Sequence, residues 1–203
     1  DFQKKIIPTE SQINELLPSI GFNKLQWRGS RLYMPANMTI DFGGIVKEYA
    51  ADAAARLARK IDVQYGLVNL GGDFAIIGPQ PDNQPWPIGV ADPKNRKALI
   101  AKIDALEGGV ASSGDYERYF AHQGKRYSHI LNPKTGWPSA GLRAVSVAAN
   151  LCTVAGSIAT TAMIKEESEA IKWLEDSGLS YIAMNQNEEI IRNGWQEPSA
   201  TAE

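Results

Sequence analysis

The chain has 203 residues, 43% hydrophobic and 22% charged, a balance that can fill a substantial core and excludes a disordered chain. Its net charge of -2 comes with no run of basic residues, which excludes the electrostatic footprint of a nucleic-acid binder. No stretch approaches the roughly 20 apolar residues that span a bilayer, and Cys152, the only cysteine, allows neither an internal disulfide nor a cysteine-based metal site. Opening at Asp1 without a charged-then-apolar leader, the chain reads as a processed or trimmed product.

In chain order, Thr9 to Ile20 reads as a helix: Thr9 and Gln12 form a capping box, and Ile13, Leu16 and Leu17 supply an apolar face. Leu25–Trp27 and Leu32–Met34 flank Gly29-Ser30 as a hairpin, and Met38-Thr39-Ile40-Asp41-Phe42-Gly43-Gly44 reads as a short strand ending in two glycines. Ile45 to Ile61 is an alanine-rich helix with Tyr49, Ala53 and Leu57 at helical spacing. Strands follow at Leu67–Leu70, Phe74–Ile77, Ile88–Val90, Ala98–Ile103 and Val110–Ser112, then a hairpin of Tyr116–Phe120 and Tyr127–Leu131 around Gln123-Gly124. Arg143–Ala149 is a strand, Val154–Ile164 and Glu166–Leu174 are helices, and Tyr181–Met184 and Ile190-Ile191 close the chain as strands. Strands and helices mix without β-α alternation, so the expected class is α+β, a largely antiparallel sheet with packed helices in one domain over residues 1–203.

Four segments join glycines, a strand end or helix start, and polar side chains. Asp41-Phe42-Gly43-Gly44-Ile45-Val46-Lys47 leads into a helix, where glycines permit close backbone approach and the N-terminus favours an anion such as a pyrophosphate. Alone, Asp41 reads as a cap or turn carboxylate. Asn69-Leu70-Gly71-Gly72-Asp73 reads alone as a hairpin turn with Asp73 solvated. Ser112-Ser113-Gly114-Asp115-Tyr116 precedes Tyr127-Ser128-His129-Ile130-Leu131-Asn132-Pro133-Lys134-Thr135-Gly136, where His129 is either structural or a general base. His122 gets only a structural reading. Finally, Gly156 and Thr160 share one helix face, Thr160 either offering a hydroxyl to a hard cation or bonding back to its own helix.

Taken in order, these runs resemble the FAD:protein FMN transferases, the ApbE family, over nearly the whole chain from about Pro8. Asp-Phe-Gly-Gly-Ile-Val-Lys-x-Tyr-Ala-x-Asp is similar to the family's first motif, and Asn-Leu-Gly-Gly-Asp to its second glycine motif. Gly-Lys-Arg-Tyr-Ser-His-Ile-Leu-Asn-Pro-Lys-Thr-Gly-Trp-Pro is similar to its longest signature, and Ala-Gly-Ser-Ile-Ala-Thr to its metal-binding helix. The resemblance implies Mg2+-dependent splitting of FAD, FMN passing to a Thr or Ser hydroxyl in the flavinylation motif of an acceptor redox protein while AMP leaves. Asp41, Lys47, Gly71, Gly72, Asp73, Ser113, His129 and Ile130 are then the FAD-site positions, and His129 the candidate base. The Gly44 carbonyl and the Thr160 hydroxyl are then metal ligands, with the pyrophosphate near Gly44 and the flavin near the His129 segment.

Three positions depart from the family pattern. Gly156 stands where the metal helix carries aspartate, Asn132 where aspartate is usual, and Glu48 where glycine follows the lysine. The first two remove negative charge, so a weakened metal site is expected, with Gly156→Asp restoring it; Glu48 merely suits a helix. Two other readings remain: an FAD-binding module without transfer, and an FAD pyrophosphatase. The family also carries a further N-terminal portion, which a missing segment or a partner chain would supply. By resemblance, the location is periplasmic, with a lipid anchor to the inner membrane.

Overall fold

The computed structural model describes residues 6–93, 95, 98–116 and 118–196. After helix α1 (Glu10–Leu16) come the hairpin β1 (Gln26–Arg28) and β2 (Arg31–Tyr33) and the long helix α2 (Val46–Lys60). Next are β3 (Gly66–Leu70), β4 (Asp73–Gly78), β5 (Trp86–Ala91), β6 (Leu99–Ala105), β7 (Gly109–Gly114), β8 (Tyr119–His122) and β9 (Lys125–Ser128). The remainder is β10 (Leu142–Ala149), α3 (Cys152–Met163), α4 (Glu167–Asp176), β11 (Ser180–Asn185) and β12 (Ile190–Asn193). The class is α+β, as expected.

One sheet organises the fold, in the order β12-β11-β10-β7-β4-β3 with every pairing antiparallel. Strand alternation divides its two faces. Ala75, Ala111, Tyr181 and Ala183 face α2, α3 and α4, while their neighbours Ile76, Val110 and Ile182 face a second core that includes Ile88, Val90 and Ala101 of the β5–β6 hairpin. The β8–β9 hairpin leaves the sheet between β7 and β10, and the α3–α4 pair between β10 and β11.

Several boundaries differ from the sequence reading. Met38–Ile40 forms no strand, because no neighbouring strand pairs with it; Met38 N–H instead closes a turn on the Pro35 carbonyl. Pro18 tightens the end of α1 into a 3-10 turn over Leu17–Ser19, so only Ile13 of the expected face is buried and Leu16 is exposed. The β8–β9 hairpin ends at Ser128, where the chain turns away; Glu117, in its expected first strand, lies outside the described residues. In α2 the expected Tyr49 and Leu57 point outward, and Glu48, Ala51 and Ala55 face inward. Small side chains win that face because α2 packs closely on α3, whose facing residues include Ala155 and Ala159.

Candidate functional site

The site is built where the start of α2 meets the β3–β4 turn, the end of β7 and the first turns of α3. Gly71 and Gly72 form the two-residue β3–β4 turn with φ of +64° and +93°, a geometry open to glycine and strained for other residues. Asn69 Oδ1 accepts from Gly72 N–H at 2.9 Å. The Lys47 side chain leans over this turn from α2, and its ammonium sits 2.6 Å from Asp73 Oδ2. Asp73 is therefore not the solvated turn carboxylate its motif suggested alone. It is 1% exposed, and its Oδ1 accepts from Ser112 N–H at 3.0 Å. Burial works to lower the Lys47 pKa, but its hydrogen bond to Asp73 and that carboxylate's charge outweigh it, so the net shift is upward.

Asp41 lies just before α2 and takes the turn role: its Oδ1 accepts from Gly43 N–H at 2.7 Å. Gly44 follows in the same exposed turn, with open space on its Cβ side.

The α3 side is fixed from α2. Leu151 gives the α3 start no side-chain cap. Asp52 of α2 supplies one instead, accepting from Cys152 N–H (2.9 Å), Thr153 N–H (2.8 Å) and the Thr153 hydroxyl (2.6 Å). One turn further along α3, a Cβ at Gly156 would stand 2.7 Å from both Cγ and Oε1 of Glu48. Glu48 is thus no solvated helix residue. It is 6% exposed, its Oε2 has no hydrogen-bond partner, and burial pushes its pKa up. Thr160 bonds across to the sheet rather than back to its own helix, its hydroxyl lying 2.8 Å from the Ser113 hydroxyl.

The His129 segment borders the residues that follow the C-terminal end of β7. His129 N–H donates to the Arg118 carbonyl, and Nδ1 lies 3.1 Å from the same oxygen. A carbonyl only accepts, so Nδ1 carries the proton and Nε2 keeps its lone pair in the neutral ring. Asp115, immediately after β7, is buried near His129; burial raises its pKa against the charges of Arg126, Arg143 and His129. Ile130 packs on the helix-side core. Asn132 is a turn residue, its Oδ1 accepting from Lys134 N–H at 2.9 Å and its carbonyl from Gly136 N–H.

Of the expected positions, the structure joins Lys47, Gly71 and Asp73 in one contact set and Ser113 with Thr160 in another, linked through adjacent residues of β7. Asp41 and Gly44 stand at the entrance to α2, and His129 borders the segment that leaves the C-terminal end of β7, with Ile130 packed on the helix-side core. Asp52 closes the first motif quoted from the sequence, but its capping role, like the role of Glu48, was missed. An uncapped α3 start was the signal for the first; the paired departures at 48 and 156 were the signal for the second. Among the described residues no cluster of three or more His, Cys, Asp or Glu side chains is placed to hold a metal. Any cation here would rely on few carboxylates, on neutral oxygens and on its ligand. The orphaned Glu48 Oε2 and the Thr160 hydroxyl are oxygen donors of the kind Mg2+ takes.

The crystal structure of an ApbE protein from Thermotoga maritima matches with a TM-score of 0.87 and 34% identity, over 95% of this chain and 64% of that one. That of the flavinyl transferase ApbE of Pseudomonas stutzeri matches with a TM-score of 0.79 and 28% identity, over 93% and 59%. The FAD:protein FMN transferase of Salmonella typhimurium is 30% identical over 198 residues, 95% of this chain and 52% of its own length. The chain thus spans about half the length of the curated relatives it matches. The ApbE family model covers residues 1–183, which include every site position described above, and the chain belongs to the ApbE family.

Proposed function

We propose that the chain works as an FAD:protein FMN transferase, alone or with the further portion present in its relatives. The observation that carries this reading is the pairing of the exposed Lys47 ammonium with the buried Asp73 carboxylate, against the Gly71-Gly72 turn and at the start of α2. A lysine, exposed backbone amides and a helix N-terminus together suit a diphosphate. In this reading the acceptor's Thr or Ser hydroxyl oxygen bonds to the FMN phosphorus. The bond from that phosphorus to the bridging oxygen breaks, and AMP leaves with that oxygen. His129 Nε2 takes the hydroxyl proton. Thr160, the Gly44 carbonyl and an acidic side chain would hold Mg2+, which when bound offsets charge on the phosphoryl oxygens.

Apolar side chains at the entrance and outer face of α2, including Phe42, Val46, Tyr49, Leu57 and Ile61, are exposed. Such a patch suits cover by a further segment or a partner chain. The proposed setting is the periplasm, with a lipid anchor and a membrane-bound redox protein as acceptor. Among the described residues no helix is long and apolar enough to cross a membrane.

The test is incubation with FAD and Mg2+, with and without an acceptor bearing a threonine flavinylation motif. Transfer yields AMP and a covalently fluorescent acceptor. AMP with free FMN would replace this reading by hydrolysis, and neither product by a binding module. His129→Ala should lower the transfer rate by about 10²–10⁴ with FAD still bound; an unchanged rate per bound complex would remove His129 as the base.

A further inference from the structure

Glu48 is a carboxylate with a place made for it and no hydrogen-bond partner on one oxygen. It projects from the first turn of α2 into the seam with α3, 6% exposed, with Oε2 unpartnered. The seam admits it only because residue 156 lacks a side chain: any Cβ there would press on Glu48 Cγ and Oε1 at 2.7 Å. Neighbouring charges are already engaged. Lys47 pairs with Asp73, Asp73 also accepts from Ser112 N–H, and Asp52 caps α3. The lysine next to Glu48 in α2 is thus already paired with Asp73. A buried carboxylate in that position is normally paired or bound to a metal. One helical turn beyond Gly156, on the same face of α3, stands Thr160, whose hydroxyl meets that of Ser113 at 2.8 Å. A carboxylate against Gly156 and neutral hydroxyls one helical turn along the same face make an oxygen-only donor set, suited to a small hard cation that keeps part of its water and shares a phosphate ligand.

We propose that Glu48 is the charged protein ligand of an Mg2+ site between α2 and the Gly156–Thr160 face of α3, with the Thr160 hydroxyl beside it. The inference rests on the FMN-transfer reading only for the diphosphate that completes the coordination. It makes the departures at 48 and 156 a single exchange, the carboxylate arriving from α2 instead of α3. Gly156→Asp, expected from sequence to repair the site, would instead crowd out the side chain already there.

Mn2+ binding to the 203-residue chain, with and without FAD, followed by electron paramagnetic resonance and calorimetry, tests this independently of turnover. Mg2+ should compete for the Mn2+ site. Wild type should bind in the presence of FAD, and Glu48→Gln should weaken binding by about tenfold to a hundredfold, the size of loss when a metal site's supporting groups are removed. Gly156→Asp alone should also bind more weakly than wild type. The double variant Glu48→Gly/Gly156→Asp should recover affinity, a gain that a merely misfolded Glu48 variant would not allow. Wild-type affinity in Glu48→Gln, or tighter binding by Gly156→Asp alone, would overturn the assignment and leave the FMN-transfer reading standing. No metal binding by wild type, with FAD bound, would overturn the metal site altogether. Failure of this chain to bind FAD would overturn the reading that it transfers FMN alone, and with it this assignment of a site completed by the diphosphate.

Discussion

Replacing Gly156 with alanine sets two effects of known sign against each other. In the interior of α3, Gly→Ala should stabilise by about 1 kcal/mol through helix propensity. In this fold the new methyl carbon would lie 2.7 Å from Glu48 Cγ and Oε1 and 3.0 Å from Cδ, well inside contact distance. Forcing a methyl group into a filled interior costs about 1–3 kcal/mol. With Glu48 present, Gly156→Ala should therefore fall between neutral and about 2 kcal/mol destabilising. With Glu48→Ala in the background the obstruction is gone, and the same change should stabilise by about 1 kcal/mol. The coupling between the two sites is then about 1–3 kcal/mol, beyond the roughly 0.3–0.5 kcal/mol scatter of independent sites. Urea denaturation of the four proteins measures it as shifts in midpoint at constant m. Equal stabilisation by Gly156→Ala in both backgrounds would refute the contact, and with it the argument that Gly156 exists to admit Glu48.

Three further outcomes follow from groups around the site. Asp52→Ala removes a cap holding two backbone N–H groups and a hydroxyl at the α3 start; it should cost about 2–4 kcal/mol by urea denaturation, and a loss below about 0.5 kcal/mol would refute the cap. Burial, then the charges of Asp73, Asp52 and Glu48, pushes the Cys152 thiol up to about 12, so a thiol reagent at pH 8 should label it only after denaturation; rapid labelling of the native chain would contradict its burial. Asp115 has a raised folded-state pKa, so the folded state holds its proton more tightly than the unfolded one. Its favourable contribution is full below the ordinary carboxylate pKa of 3.8 and is lost as pH rises through the raised value; Asp115→Asn should flatten that part of the stability–pH curve, and an unchanged slope would show the shift to be absent.

Much of this fold was legible because strand and turn chemistry is local. Gly71-Gly72 between two apolar runs dictated a tight turn, and that turn pairs Leu70 with Asp73 as a hairpin should. The inward face of α2 was not legible. Periodicity favours large residues, and Tyr49 and Leu57 drew the eye, but two helices in close contact need small ones, so Ala51 and Ala55 took the core. Nothing local to α2 announces how closely α3 will approach. Met38–Ile40 failed for a related reason: strand propensity needs a partner strand, and none pairs with it among the described residues.

The site divides in the same way. Motif positions are visible singly, while their roles depend on what stands opposite. Asp73 looks like a solvated turn residue until Lys47 from α2 and Ser112 from β7 close over it. Taken alone, Gly156 looks like a lost ligand and Glu48 like an ordinary helix former. The geometry ties the two positions together, because the space vacated at one is filled from the other, across more than a hundred residues of sequence. A glycine in a ligand-bearing helix therefore has two physical meanings. It removes a side chain from its own helix, and it opens room for one arriving from elsewhere; only the neighbour within about 3 Å tells which applies.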